Sequence, residues 1–339
     1  MTTHAIPVQF PLYRGERRVR IALLGMPNSG KSTLFQAVSA TSVHTGKLAG
    51  TDRTYEECRV QVGLDEANLV DLPSTRSLHH LEDSDLVALK YLLWGDVPPP
   101  VSAHDRVAPP APFAPPDVIV QVVDATALER HLELTLELSQ LGKPMVLALN
   151  RMDEANKRGL KISAAKLERQ LGVRVIPTIA TMGQGISELF AAAVAVVRED
   201  ACPVPQPFSS HIAKAMKPLS DALNDADIQA AFQAPHAFLV QQVAAGDPFI
   251  LGELGQHFPA RVPKLTQLVE AAGGQLPRPL AEEMHADRHH QAASLFEMVI
   301  RTGVSPESGG WRGLLDKLFL NPKIGLIGCL GVFALVLFV

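Results

Sequence analysis

The sequence predicts an α/β fold built on a mostly parallel sheet, followed by a small all-α region. Three observations carry that expectation. An apolar run, "VRIALL" at Val19 to Leu24, leads directly into "GMPNSGKSTLFQAV", Gly25 to Val38, in the order strand, glycine loop, helix. Further continuous apolar runs alternate with helical stretches, as in a parallel sheet covered on both faces. Past the proline-containing stretch "ACPVPQPF", Ala201 to Phe208, strand signals stop.

Taken in order, residues 1–18 form an N-terminal extension whose Arg14, Arg17 and Arg18 are followed by no small-residue cleavage site, so no secretion signal is expected. The α/β domain is expected over 19–200. Its later strands are "NLVDL" (Asn68 to Leu72), "DVIVQVVDA" (Asp117 to Ala125), "PMVLALN" (Pro144 to Asn150) and "VRVIPT" (Val173 to Thr178). Helices are expected at Ala127 to Leu141 and, closing the domain, at Gly185 to Val197. Residues 96–117 carry many prolines, which cannot sit in helix or sheet interiors, and read as a surface insertion. After the 201–208 linker, a helical domain is expected over 209–320. Ile212, Met216, Leu219 and Leu223 follow helical spacing, with a bend expected at Pro218. "HAFLVQQVAAG" and "HQAASLFEMVIRTG" each end on a glycine suited to a left-handed cap. The last segment, 323–339, contains the uncharged run "IGLIGCLGVFALVLFV" and reads as the start of a transmembrane helix, somewhat short of the ~30 Å hydrocarbon core.

Composition excludes some classes. With 339 residues, 47% hydrophobic and 19% charged, the chain is long and apolar enough for about two cores and is not disordered. A net charge of −4, with basic residues scattered and not in a block, leaves no reason to expect nucleic acid as a partner. Cys58, Cys202 and Cys329 are far apart and form no CxxC pair, which argues against a disulfide framework or a cysteine zinc site and for a reducing compartment.

The chemistry begins at Gly25, Gly30, Lys31 and Ser32, which match GxxxxGK[ST]. Glycines let the backbone approach phosphates, the helix N-terminus favours an anion, and the Lys31 ammonium reaches the β/γ-phosphates. Ser32 would ligate Mg²⁺. Asp71 closes a strand as "VDLP", where its carboxylate can hold Mg²⁺ through water. "NRMD", Asn150 to Asp153, ends another strand, and Asp153 can accept from both N1–H and N2–H₂ of guanine. Adenine lacks that donor pair and would leave the carboxylate unpaired. Three motifs in order at three strand ends point to GTP or GDP as the ligand, and against a P-loop ATPase.

These motifs resemble the bacterial ferrous iron transport protein B family. The resemblance is carried by "GMPNSGKSTLF", "VDLPSTRSL", "VVDATALERHLELTLEL", "GKPMVLALNRMDEA" and "GVRVIPTIATMGQGISEL", and more weakly by "LVQQVAAGD" and "GLLDKLFLNPKIG". It implies a P-loop GTPase domain, a helical domain and an approach to the membrane, with residues 1–320 on the cytoplasmic side of the bacterial inner membrane. The family continues into a permease, so the partners it implies are the rest of an iron permease or its small accessory proteins. The nucleotide-binding set is then Gly25, Asn28, Ser29, Gly30, Lys31, Ser32, Thr33, Asp71, Ser74, Asn150, Arg151, Asp153 and Ala180.

Several positions depart from the family pattern. DLPG is here "DLPS", with Ser74 in the glycine's place; serine retains the N–H but restricts the backbone. Arg151 replaces the usual lysine. "TIA" at Thr178 to Ala180 lacks the expected serine, which leaves the Ala180 backbone as the guanine contact. The Mg²⁺-ligating switch threonine is Thr54 or Thr51, and the context "TYE" favours Thr54. No glutamine follows the Asp71 motif to orient water, so catalysis would rest on Lys31, Thr54 and Asn28. Asn28 sits where related GTPases hold a potassium ion, although an asparagine in a turn needs no such role. Hydrolysis is therefore expected to be slow, with potassium as a candidate activator. His285, His289 and His290 share a helical stretch with Glu282 and Asp287 and read as a polar face, not an iron site. His79 and His80 read as switch residues. The alternative reading is a membrane-anchored, GTP-dependent interaction protein related to ribosome-associated GTPases.

Overall fold

The structure, a computed structural model, describes residues 18–39, 44–47, 54–63, 65–79, 83–95, 115–232 and 234–302. In chain order its elements are β1 (Val19–Gly25), α1 (Lys31–Val38), β2 (His44–Lys47), β3 (Thr54–Val62), β4 (Asp65–Asp71), α2 (Asp83–Trp94) and β5 (Val118–Asp124). Then come α3 (Leu128–Ser139), β6 (Met145–Asn150), α4 (Met152–Lys157), β7 (Leu160–Ile162), α5 (Ala164–Leu171), β8 (Arg174–Pro177) and α6 (Ile186–Glu199). A helical region follows: α7 (Ser210–Leu223), α8 (Ala226–Phe232), α9 (His236–Ala244), α10 (Pro248–His257), α11 (Val262–Gly273) and α12 (Leu280–Val299), ending in β9 (Ile300–Thr302).

Seven strands form one sheet in the order β2-β3-β4-β1-β5-β6-β8. The pairs from β4 to β8 are parallel, while β2 and β3 are antiparallel at one edge. The apolar runs are continuous because both faces are covered. Along β1, Ile21 and Leu23 pack with Leu34, Phe35 and Phe190 of α1 and α6, while Ala22 and Leu24 face the opposite core. That second core takes in Leu132 and Leu136 of α3 and runs without a break to Leu219, Phe238 and Val299 in the helical region. The helices after residue 209 therefore share one apolar interior with the sheet.

The structure corrects the sequence reading at three places. β3 occupies part of the stretch read as a switch, and Thr54 begins it, with its backbone opposite Lys47 of β2. Cys58 and Val60 bury toward the sheet core while Arg59 and Gln61 stay exposed, so a period-2 signal was present in a short, charged run. Ala125–Ala127 form a 3₁₀ turn capped by the Asp124 carboxylate, which accepts from the Thr126 N–H at 2.8 Å, so the helix proper starts at Leu128. The helix through "HQAASLFEMV" does not run to a glycine cap; Ile300 turns to extended backbone, and β9 pairs antiparallel with β7. The expected helix around Ile212 to Leu223 is α7, which holds Pro218 in its interior. Most of the 96–117 insertion, Thr51, His80 and the apolar 323–339 segment lie outside the described residues. No helix among the described residues is long and apolar enough to cross a membrane.

Candidate functional site

The parallel strands end on one edge, and the chain runs from β1 out to β2 on one side, returns through β3 and β4 beside β1, and crosses to β5 on the other side. Crevices at such switch points are where open α/β sheets bind ligands. Gly25 ends β1, Asp71 ends β4, and Asp124 and Asn150 stand directly across from each other at the ends of β5 and β6.

The loop from Gly25 to Lys31 is shaped by its backbone. Asn28 and Gly30 both take left-handed conformations, at φ 66° and 91°. A Cβ on Gly30 would come 2.1 Å from Asn150 Nδ2, and one on Gly25 would meet the Val122 carbonyl at 2.8 Å, so neither position has room for a side chain. Asn28 is exposed, as are Ser32 and Thr33 in the first turn of α1. Ser29 is buried, and its Oγ has no hydrogen-bond partner among the described residues.

Lys31 opens α1 with only 6% of its surface exposed, and its ammonium meets Asp71 Oδ1 at 2.5 Å. Burial pushes the Asp71 carboxyl above its ordinary range, against the opposing pull of Lys31. Ser74, three residues on, is exposed in the loop that follows β4. That loop is held to the glycine loop by the Thr75 N–H, which donates to the Gly25 carbonyl at 3.1 Å.

Asn150 ties three segments together. Its Nδ2 donates to the Ser29 carbonyl at 2.9 Å, and its Oδ1 accepts from the Ala180 N–H at 3.0 Å and from Thr178 Oγ1 at 3.4 Å. One buried amide thus fixes the glycine loop, the end of β6 and the "TIA" loop relative to one another. Arg151 is left-handed at φ 60° and reaches back to Asp124 Oδ2 at 3.0 Å. Asp153, in the first turn of α4, is half-buried and its carboxylate makes no hydrogen bond among the described residues.

The residues read from the sequence are therefore brought to one strand edge, and Thr54 begins β3 at that same edge, two positions before Glu56, which stands opposite Asp71. Sequence reasoning missed Asp124 and Thr178. Asp124 was visible as the strand-end residue of "VVDAT", but its partner Arg151 became apparent only from the register of β5 on β6. His79, read as a switch residue, is buried, and its Nδ1 lies 3.2 Å from Gln242 Oε1 in α9. His289 pairs with Glu133 at 2.7 Å, and among the described residues no group of three His, Cys, Asp or Glu is placed to hold a metal ion.

The sequence profile of the ferrous iron transport protein B family matches residues 19–193, more than half of the chain. The chain belongs to the ferrous iron transport protein B family. Its FeoB relatives include the Fe(2+) transporter FeoB of Escherichia coli, 29% identical over 323 residues. That match takes in 91% of this chain but 37% of the relative, so the chain spans little more than a third of the FeoB proteins it resembles. Among solved structures, the cytosolic domain of L. pneumophila FeoB superposes with a TM-score of 0.67 at 26% identity, over 84% of this chain and 100% of that one. A GDP-bound S. thermophilus NFeoB mutant superposes with a TM-score of 0.70 at 23% identity, over 84% of this chain and 100% of that one. The fold is thus the P-loop GTPase fold of FeoB, with its helical region attached.

Proposed function

We propose that this chain binds GTP and GDP, hydrolyses GTP slowly, and serves as the cytosolic nucleotide-binding portion of a ferrous iron transporter of the bacterial inner membrane. The observation that carries this reading is the Asn150 amide, which holds the glycine loop beside the uncommitted Asp153 carboxylate and the Ala180 N–H. Phosphate and base determinants are thereby held on one rigid edge. The GDP-bound relative supports the ligand class.

In this reading Lys31 exchanges Asp71 for the β/γ-phosphates, aided by the N–H groups of Asn28 to Thr33 at the start of α1. Asp153 accepts from guanine, Arg151 lays its stem along the base while Asp124 holds its head, and the backbone at Ala180 completes the base pocket. Ser74 presents the backbone N–H that senses the γ-phosphate. Ser32, Asp71 and Thr54 would hold Mg²⁺, an all-oxygen donor set suited to a hard cation. When bound, that ion would offset charge on the phosphates. The Asn28 amide, exposed at the loop apex, would hold K⁺ in the place where other GTPases use an arginine finger. The C-terminal apolar segment would enter the membrane, and the remainder of the permease or small accessory proteins would be its partners.

Replacing Asp153 by Asn should weaken GDP by about 1 to 3 kcal/mol and shift preference toward xanthosine diphosphate, read by competition titration. An unchanged base preference would remove Asp153 from the site. GTP turnover should rise when potassium replaces sodium, and Asn28→Ala should abolish that rise while retaining GDP binding. Equal rates in both salts would refute the cation role alone.

A further inference from the structure

Between the end of α4 and the end of α5 the chain carries Lys157, Arg158, Lys161, Lys166 and Arg169. The only carboxylate in that stretch is Glu168, which accepts a hydrogen bond from the Val175 N–H at 3.2 Å. A chain of net charge −4 thus carries a local excess of positive charge in this stretch of sequence. None of the five cations makes an ion pair among the described residues, whereas the exposed Arg174, Arg198 and Arg261 each do. On β7, Lys161 is exposed while its neighbours Leu160 and Ile162 pack against the core. Lys166 and Arg169, three apart on α5, share a helix face and border an open cleft of about 310 Å³ floored by Met298, an exposed apolar side chain. The Lys166 ammonium already donates to the Met298 carbonyl at 3.2 Å and retains two further N–H groups. Glu297 is the nearest exposed carboxylate along α12.

The position of this face gives it an occupant. β9 pairs with β7 in the register that sets Arg301 opposite Lys161, so Thr302, the last described residue, lies beside this face. Only residues 303–323 separate Thr302 from the apolar run that begins at Ile324. We propose that the face formed by the end of α4, β7 and α5 is a docking surface for an anionic lipid bilayer. Headgroup phosphates meet Lys157 to Arg169, and the Met298 cleft takes the apolar edge of a lipid. Cations beside a membrane-entry segment are attracted to anionic leaflets within about a Debye length. This proposal rests on the membrane placement given above and adds the lipid class and the surface.

The test is chemical protection of lysines in the full chain, incorporated into nanodiscs of phosphatidylcholine alone or with roughly 30% phosphatidylglycerol. An acylating reagent modifies lysines, and mass spectrometry reads each rate. Lys157, Lys161 and Lys166 should react about tenfold more slowly in the anionic discs, and about 0.5 M sodium chloride should restore their rates. The exposed Lys214 and Lys264, on α7 and α11, should not change. The double variant Lys161→Glu with Arg169→Glu should bind GDP normally and lose the dependence on lipid charge at Lys157 and Lys166. Equal rates in the two discs would overturn the docking surface while leaving membrane placement standing. Protection by millimolar inorganic phosphate in the uncharged discs would make this a small-anion site and overturn it as well. A chain that co-purifies with neither disc would overturn both readings.

Discussion

At the scale of single residues, the site depends on positions where a side chain has no room. Gly30 combines φ 91° with an imaginary Cβ 2.1 Å from Asn150 Nδ2. Gly30→Ala should therefore cost about 1 to 3 kcal/mol in backbone strain and also push Asn150 off the Ser29 carbonyl. A thermal melt should show the loss, and GDP affinity should fall with it; a variant as stable as the parent would mean that the loop relaxes freely. The glycines, Lys31, Asp71 and Asn150 were legible in the sequence because each is dictated by local chemistry at a strand end. Asp124 and Thr178 were not. Their roles exist only through partners on neighbouring strands, and register is not written in any one segment.

At the scale of elements, the segment after β4 is gripped by helices far away in the chain. Glu137 of α3 accepts from the Leu78 N–H at 2.6 Å and from Ser77 Oγ, and pairs with Arg288 of α12 at 3.1 Å. Burial raises the Glu137 carboxyl, opposed by Arg288 and by the bonds from Leu78 and Ser77. From α9, Gln242 donates to the Leu78 carbonyl at 2.8 Å, and Gln241 accepts from Arg288 at 3.2 Å. Removing one partner leaves a buried charge, so Arg288→Met should destabilise the fold by about 3 to 5 kcal/mol. Adding Glu137→Gln to it should cost much less than the two single losses combined, as a urea-unfolding cycle would read. Nothing in the sequence marked this network: Glu137 lies in a stretch that alternates polar and apolar residues, and it is buried where α12 packs on α3.

For the whole molecule, one apolar interior joins the sheet to the helical region, and its acid stability should reflect what that interior encloses. His131 of α3 is 4% exposed, and burial holds its imidazole down to about 4 from the ordinary 6.5, against the pull of Asp124. The native state therefore binds its proton more weakly than the unfolded chain does. Stability from this group is complete above pH 6.5 and is lost as the pH falls toward about 4, by up to roughly 3 kcal/mol. Urea unfolding of the wild type between pH 7 and pH 4 should show that decline, and His131→Leu should lessen it; parallel curves would place the acid sensitivity elsewhere. At this scale the sequence was informative about the sheet, whose apolar runs need no context, and about the helical character after residue 209. It was silent on β9, a three-residue strand whose pairing with β7 joins positions more than a hundred residues apart.

That short pairing has a mechanical meaning. Leu160 stands opposite Thr302, so tension applied to the chain beyond Thr302 loads that rung before any other part of the described fold. The strand that bears it follows directly from α4, which carries Asp153 in its first turn. A pull or a slackening transmitted along the polypeptide from beyond Thr302 would thus reach β7 through this rung, making β7 and β9 a two-strand coupling between traction on the chain and, under the function proposed above, the helix that carries Asp153.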